Sequence, residues 1–332
     1  MQTEQNIKTA MPSSLKNTGI ISAFAVFLIF FLMLLGVKEA SAHVKNALSV
    51  CVSSVIPNLF PLMVVSNMIA LGSAGELVSR FAGGAVSRFF GVSRASAPAV
   101  LLGFLCGFPI GASVASKLYE KGLISKRELS RLLTFINNPS LAFVIYSVGG
   151  GMLGSVRIGL VIYISLVVSA VTAGLLSRCL MSVESVENDR YVTHPLPFSS
   201  LAVHSISSSI SGILNVCAYT VFFSAALGIV SKLLTSLGLS FQLCAALFGF
   251  CELISGVKIL TESSSTVFAI LSSAAVCAWS GLSVMMQIVA VCRSSLGDEK
   301  ISFAPMVLSK CFQATLCPIL VYFLMKLTPF VI

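Results

Sequence analysis

Residues 98–116 read PAVLLGFLCGFPIGASVAS, an uncharged stretch as apolar as a membrane helix but interrupted by Gly103, Gly107, Pro109 and Gly111. Glycine costs about 1 kcal/mol against alanine in a helix interior and proline about 3, and Pro109 also removes a backbone donor. Within a bilayer, such loosened backbone is tolerated only inside protein or along a watery cavity. The stretch therefore predicts a re-entrant or discontinuous element on a solute pathway.

Composition places that element in a membrane protein. Of 332 residues, 56% are hydrophobic and 10% charged, beyond the apolar content of an ordinary soluble domain. The fold class expected is an all-α polytopic membrane protein. Seven runs are long enough to cross a hydrocarbon core of ~30 Å, at 20–37, 48–70, 132–152, 157–177, 208–231, 266–291 and 305–326. Two more, 98–116 and 240–258, are apolar but broken. The first run precedes Ala40-Ser41-Ala42, a cleavage-like pattern, but its 18 residues exceed a usual signal core. It reads as an uncleaved anchor behind a polar tail carrying Lys8 and Lys16.

The net charge of +9 comes without a basic stripe interleaved with aromatics, so it points to topology and lipid and away from nucleic acid. Ten cysteines are scattered without a C-x-x-C, and His43, His194 and His204 are dispersed. No metal, cofactor or disulfide framework is expected. No nucleophile elbow, P-loop, zinc-protease or dinucleotide fingerprint occurs, which argues against an enzyme.

Lysine and arginine collect in cytoplasmic loops, and that rule decides between topologies. If both broken segments cross fully, internal connections hold 9 basic residues and external ones 11. If both dip and return, the count is 14 inside against 6 outside, with Lys310 at the edge of the last span. The re-entrant arrangement is therefore predicted. It divides the chain into an anchor region 1–47, a first repeat 48–177, a polar linker 178–207 with Glu184, Glu187, Asp189 and Arg190, and a second repeat 208–332. The repeats would be inverted, a common plan of secondary transporters. LLGFLCGFPIGA (101–112) aligns with LFGFCELISGV (247–257) through Gly-Phe, the later glycine slipping by one.

Several residues stand out against this frame. Asn137-Asn138 precede Pro139; Asn138 is a natural N-cap and Pro139 a natural first helical residue, unless the pair only caps a helix that begins later. Glu252 is the costliest residue in an apolar segment. Proton or cation coupling, a hydrogen bond to solute, and a structural pair with Lys258 or Lys310 are all open to it. Gln287 and Gln313 read as interhelical hydrogen bonders. Pro57 and Pro61 flank Asn58 in a kink that is either merely tolerated or exposes carbonyls to a solute. Residues 72–97, with Arg80, Arg88 and Arg94 at helical spacing, read as an amphipathic interfacial helix.

The run GFLCGFPIGA (103–112), with KLYEKGLISKRELSRLLTFINNPSLAFVIYSVGGGMLGSVRIG (117–159), resembles the YlbJ-type sporulation integral membrane proteins, of the wider nucleoside-recognition Gate group. The likeness covers roughly residues 15–326. Its most specific parts are Gly107-Phe108-Pro109-Ile110-Gly111-Ala112 and Asn137-Asn138; Glu252 after Gly249-Phe250 fits more loosely. Pro139-Ser140 departs from the Gly or Ala expected after the asparagines. The resemblance implies a transporter of endospore formation in the outer forespore membrane, facing the mother cell and moving dipicolinic acid. A nucleoside-like solute, or a non-transporting scaffold for spore-envelope assembly, are the alternatives. Residues 107–112, Asn137, Asn138 and Glu252 are then the candidate substrate contacts, with Lys258 and Lys310 as charge partners. Amides of Ile110, Gly111 and Ala112 would suit carboxylates, and Phe104 or Phe108 would stack on the ring. A homo-oligomer and sporulation membrane partners stay open.

Overall fold

The computed structural model describes residues 13–182, 197–238, 241–263, 266–297 and 299–327. Lys8 of the tail, and Glu184, Glu187, Asp189, Arg190 and His194 of the linker, lie outside the described residues. The described residues form helices and no strand, which bears out the all-α polytopic class.

Helix α1 (Ser13–Leu35) ends at Gly36, and α2 (Val37–Val50) leaves at 91° to it. Through a π-helical turn (Cys51–Val55), α2 continues into α3 (Ile56–Leu71), from which α4 (Ser73–Phe90) turns away by 79°. Helix α4 is the amphipathic element expected over 72–97: Leu77 and Phe81 are exposed, whereas Ser79, Gly83, Val86 and Phe90 are buried. Its C-terminal carbonyls are capped by basic side chains, as helix ends require. The Arg131 guanidinium donates to the Phe90 and Gly91 carbonyls and that of Arg178 to the Arg88 and Phe89 carbonyls.

The first broken segment is a helical hairpin, α5 (Ala97–Leu105) and α6 (Ile110–Glu120). It is followed by α7 (Lys126–Leu132), a π-helical segment (Phe143–Met152) and α8 (Val156–Leu180). Helix α9 (Phe198–Ser236) leads to the second broken segment, α10 (Phe241–Cys251) and α11 (Leu253–Ser263). The chain closes with α12 (Thr266–Trp279), α13 (Gly281–Leu296) and α14 (Ala304–Leu327).

Four segments are long and apolar enough to cross a membrane, namely α8, α9, the α12–α13 run and α14, and counting each bent pair as one span makes six. The sequence led us to expect seven. The shortfall falls at 132–152, where α7 stops at Leu132 and no regular helix covers Asn137–Ser140. Pro139 cannot donate a backbone hydrogen bond and disfavours the α conformation of Asn138. The helix restarts with Ser140 as cap, its Oγ accepting from Phe143 N at 3.2 Å. Asn138 therefore does not cap the helix, as one reading of the sequence had it.

Both feet of the first hairpin stand at one end of the molecule. Ahead of α5, the Ser93 amide and the Ser93 and Ser96 hydroxyls donate to the buried Glu128 carboxylate on α7 at 2.6–2.7 Å. At the foot of α6, Lys121 donates to the Ala70 and Leu71 carbonyls that end α3, and Lys126 pairs with Glu299 in the α13–α14 link at 3.2 Å. Helix α9 begins at this same end, where Lys117 donates to Asn67 and Ser208. Its 39 residues, at ~1.5 Å each, carry the chain to the other end. The second hairpin, entered from the end of α9 and left into α12, stands there. The arms of each hairpin cross at a glycine pair. A Cβ on Gly111 would lie 2.8 Å from Gly103 Cα, and one on Gly256 would lie 2.2 Å from Gly249 Cα.

Candidate functional site

The two hairpin tips are built alike and held differently. At the first tip, Gly107 has φ +76, the Phe108–Pro109 peptide is cis, and Phe108 N donates to the Asn138 carbonyl at 2.8 Å. A Cβ on Gly107 would meet Ser140 N at 2.5 Å, so only glycine lets the tip approach the α7 break this closely. At the second tip, Glu252 separates α10 from α11 and its carboxylate accepts from Ile254 N at 3.1 Å and Ser255 N at 2.7 Å. That tip abuts the turn between α12 and α13, where Ser280 and Gly281 have φ of +74 and +84. A Cβ on Gly281 would lie 3.2 Å from the Cys251 carbonyl oxygen. Trp279 also donates to the Phe250 carbonyl at 2.8 Å. Each tip thus rests against the interruption of a later element in its own half.

Between the tips lies a cavity of about 310 Å³. Phe108 and Ser140 contribute from the first half, Glu252, Ser283 and Gln287 from the second. Asn58 of α3 and Thr220 of α9 close its flanks, and Phe143 and Tyr146 give it an aromatic wall. Among the described residues no lysine or arginine lines it.

Of the candidate substrate contacts named from sequence, Phe108 and Glu252 reach this cavity, joined by Asn58 and Gln287, to which the sequence reading assigned other roles. Gly107 and Pro109 make the turn behind Phe108. Ile110, Gly111 and Ala112 are buried away from the cavity, with Gly111 packed on Gly103 and the Ile136 carbonyl. Their amides therefore do not face it, contrary to expectation, because the arm crossing needs this turn of α6 for packing.

Asn137 and Asn138 brace the break. Asn138 Nδ2 donates to the Phe135 carbonyl at 2.8 Å, and Asn137 Nδ2 to the Leu133 carbonyl at 3.0 Å. Lys310, 1% exposed on α14, donates to Asn138 Oδ1 at 3.3 Å and Gln313 Oε1 at 3.4 Å. Beside it, Gln313 Nε2 and the Ser309 hydroxyl donate to the Thr134 carbonyl. Lys258 is exposed on α11. Neither lysine is bonded to Glu252, which overturns the structural pair considered from sequence. The start of α11 supplies the amides and the positive dipole end that a carboxylate otherwise seeks in a cation.

The sequence reading missed Ser283, Thr220, Phe143 and Tyr146 as cavity residues, and it treated Gln287 as an interhelical bonder. Serines, threonines and aromatics inside apolar runs carry no signal of which face they occupy. Asn58 had one, its place between two prolines.

No protein-family model matches the chain, and no solved structure matches it. The chain is 24% identical, over 350 aligned positions, to the sporulation integral membrane protein YlbJ of Bacillus subtilis (strain 168), covering 93% of this chain and 83% of that protein. The similarity spans nearly the whole chain. The chain is thus similar to a sporulation integral membrane protein of the YlbJ type, and its long apolar helices support a multi-pass membrane protein.

Proposed function

We propose that this protein is a solute carrier whose binding site is the cavity between the hairpin tips, and that its solute is dipicolinic acid crossing the outer forespore membrane. The observation that carries the reading is the meeting of two broken hairpins, rooted at opposite ends of the molecule, around one cavity of about 310 Å³. Discontinuous elements converging in this way are how carriers of the inverted-repeat kind build a site open to either side. The volume lies at the lower end of small-molecule pockets, which suits a single-ring solute. Phe108, Phe143 and Tyr146 offer apolar faces to a flat ring.

Electrostatics shapes the mechanism. An ionised Glu252 repels a dianion, and among the described residues the wall holds no cation to offset it. The solute is therefore carried together with a proton or a cation. Flux of labelled dipicolinate into liposomes containing the purified protein tests the reading, with Glu252→Gln compared across pH. Wild-type flux with a pH profile flattened in the variant is expected. Absence of wild-type flux would remove the dipicolinate assignment, and an unchanged profile would remove Glu252 from the mechanism.

The cation-free wall favours a second reading, an uncharged nucleoside-like solute hydrogen-bonded by Glu252 and its neighbours. Nucleosides would then compete for uptake and dipicolinate would not. A non-transporting scaffold predicts flux of neither.

A further inference from the structure

Gln287 is 3% exposed and lines the cavity, yet among the described residues its Oε1 has no hydrogen-bond partner. Its Nε2 donates only to Ser283 Oγ within its own helix, at 3.4 Å. A buried, unpaired amide oxygen costs about 1–3 kcal/mol, and a binding site is where that cost is recovered. Glu252 repeats the pattern. Each of its carboxylate oxygens accepts one backbone amide and keeps further acceptor capacity where it borders the cavity. The polar wall therefore presents acceptors on α13 and at the second tip, without a cationic donor opposite them.

We infer that the solute binds through its own O–H or N–H donors, taken up by Gln287 Oε1 and the Glu252 carboxylate, so that an acidic solute enters in a protonated form. This rests on the carrier reading above and specifies the chemical form of its cargo. The proton that offsets Glu252 then travels on the solute itself. Among the described residues, the titratable groups near Glu252 include Tyr146 in the cavity wall and the thiols of Cys51 and the adjacent Cys251; none of these is a cation. A site built to receive a donor rejects an isostere lacking it strongly, since the buried acceptor is left unpaired.

Two uncharged probes isolate the donor from the charge, namely the diamide of dipicolinic acid, which has N–H donors, and its dimethyl ester, which has none. Thermal stabilisation of the full-length protein in detergent should require about tenfold less diamide than diester, the ratio that an unpaired buried acceptor sets. Gln287→Leu should abolish that difference, and Gln287→Glu, which retains acceptor oxygens, should keep it. Equal potency of the probes, a preference that survives in Gln287→Leu, or no stabilisation by either probe overturns the inference. Dipicolinate flux measured in parallel separates the two claims. Flux without a donor preference removes only this inference, whereas a donor preference without flux removes only the dipicolinate assignment.

Discussion

The first hairpin tip carries no charge and is gripped from outside, while the second carries a carboxylate and is capped by its own helix. Phe108 N is bonded to the Asn138 carbonyl, and Asn138 Oδ1 is in turn held by Lys310. Glu252, by contrast, is satisfied locally by Ile254 and Ser255. One architecture has thus been given two electrostatic finishes. The buried lysine stands behind the first tip and the buried carboxylate borders the cavity at the second, so the two tips are related in shape and not in chemistry.

The strongest test of the shared architecture is at the arm crossings. Gly256→Val puts side-chain atoms where a Cβ would already sit 2.2 Å from Gly249 Cα. It should cost about 3 kcal/mol or more, read as a lowered unfolding temperature and reduced abundance. Gly111→Val, with Gly103 Cα at 2.8 Å and the Ile136 carbonyl oxygen also at 2.8 Å, should act in the same direction. Sensitivity in only one hairpin would break the comparison.

Lys310→Met probes the grip on the first tip. It leaves Asn138 Oδ1 and Gln313 Oε1 unpaired, at about 1–3 kcal/mol, but it also removes a buried charge, and replacing such groups by apolar ones is often neutral. Net stability should change by less than about 1 kcal/mol while solute flux falls. A large fall in unfolding temperature with flux per folded molecule unchanged would show that the lysine serves the fold alone. At the second tip, Glu252→Ala removes the cap of α11, with an expected cost of about 1 kcal/mol, and it should lower flux more than Glu252→Gln does.

The smallest effect belongs to the exposed Lys126–Glu299 pair at the feet. Bonds from Lys126 and then Tyr119 hold the Glu299 carboxyl below its usual range. The stabilisation is present above the ordinary carboxylate pKa and is lost as pH falls through the lowered value. Glu299→Gln should erase this acid-side dependence, with little change in unfolding temperature near neutrality.

Both broken elements were legible because Gly103, Gly107, Pro109 and Gly111 are the wrong residues for a straight helix, and because the basic residues collect on one side of the membrane only if both segments return. The alignment of 101–112 with 247–257 brought Gly103 and Gly111 over Gly249 and, one position slipped, Gly256, but that these glycines are where the arms cross is a tertiary fact. The interruption at 133–140 was hidden, since its flanks are as apolar as a spanning helix and Asn-Asn-Pro can equally start one. Lys310 and Gln287 were misjudged for a related reason. A polar residue in an apolar run announces that it is buried, but its partner lies on another helix at a distance that local spacing does not encode.

Composition, hydropathy and backbone-breaking residues by themselves determined a polytopic helical membrane protein with two interrupted segments, because bilayer thickness and backbone hydrogen bonding act on local sequence. The tertiary structure alone decided which side chains share the cavity and that Glu252 is satisfied by amides and not by lysine. It also decided that Lys310 is spent on Asn138 and that the Gln287 Oε1 is left without a partner among the described residues. Those outcomes depend on how helices far apart in the chain are packed, and such contacts follow from the geometry of the whole assembly.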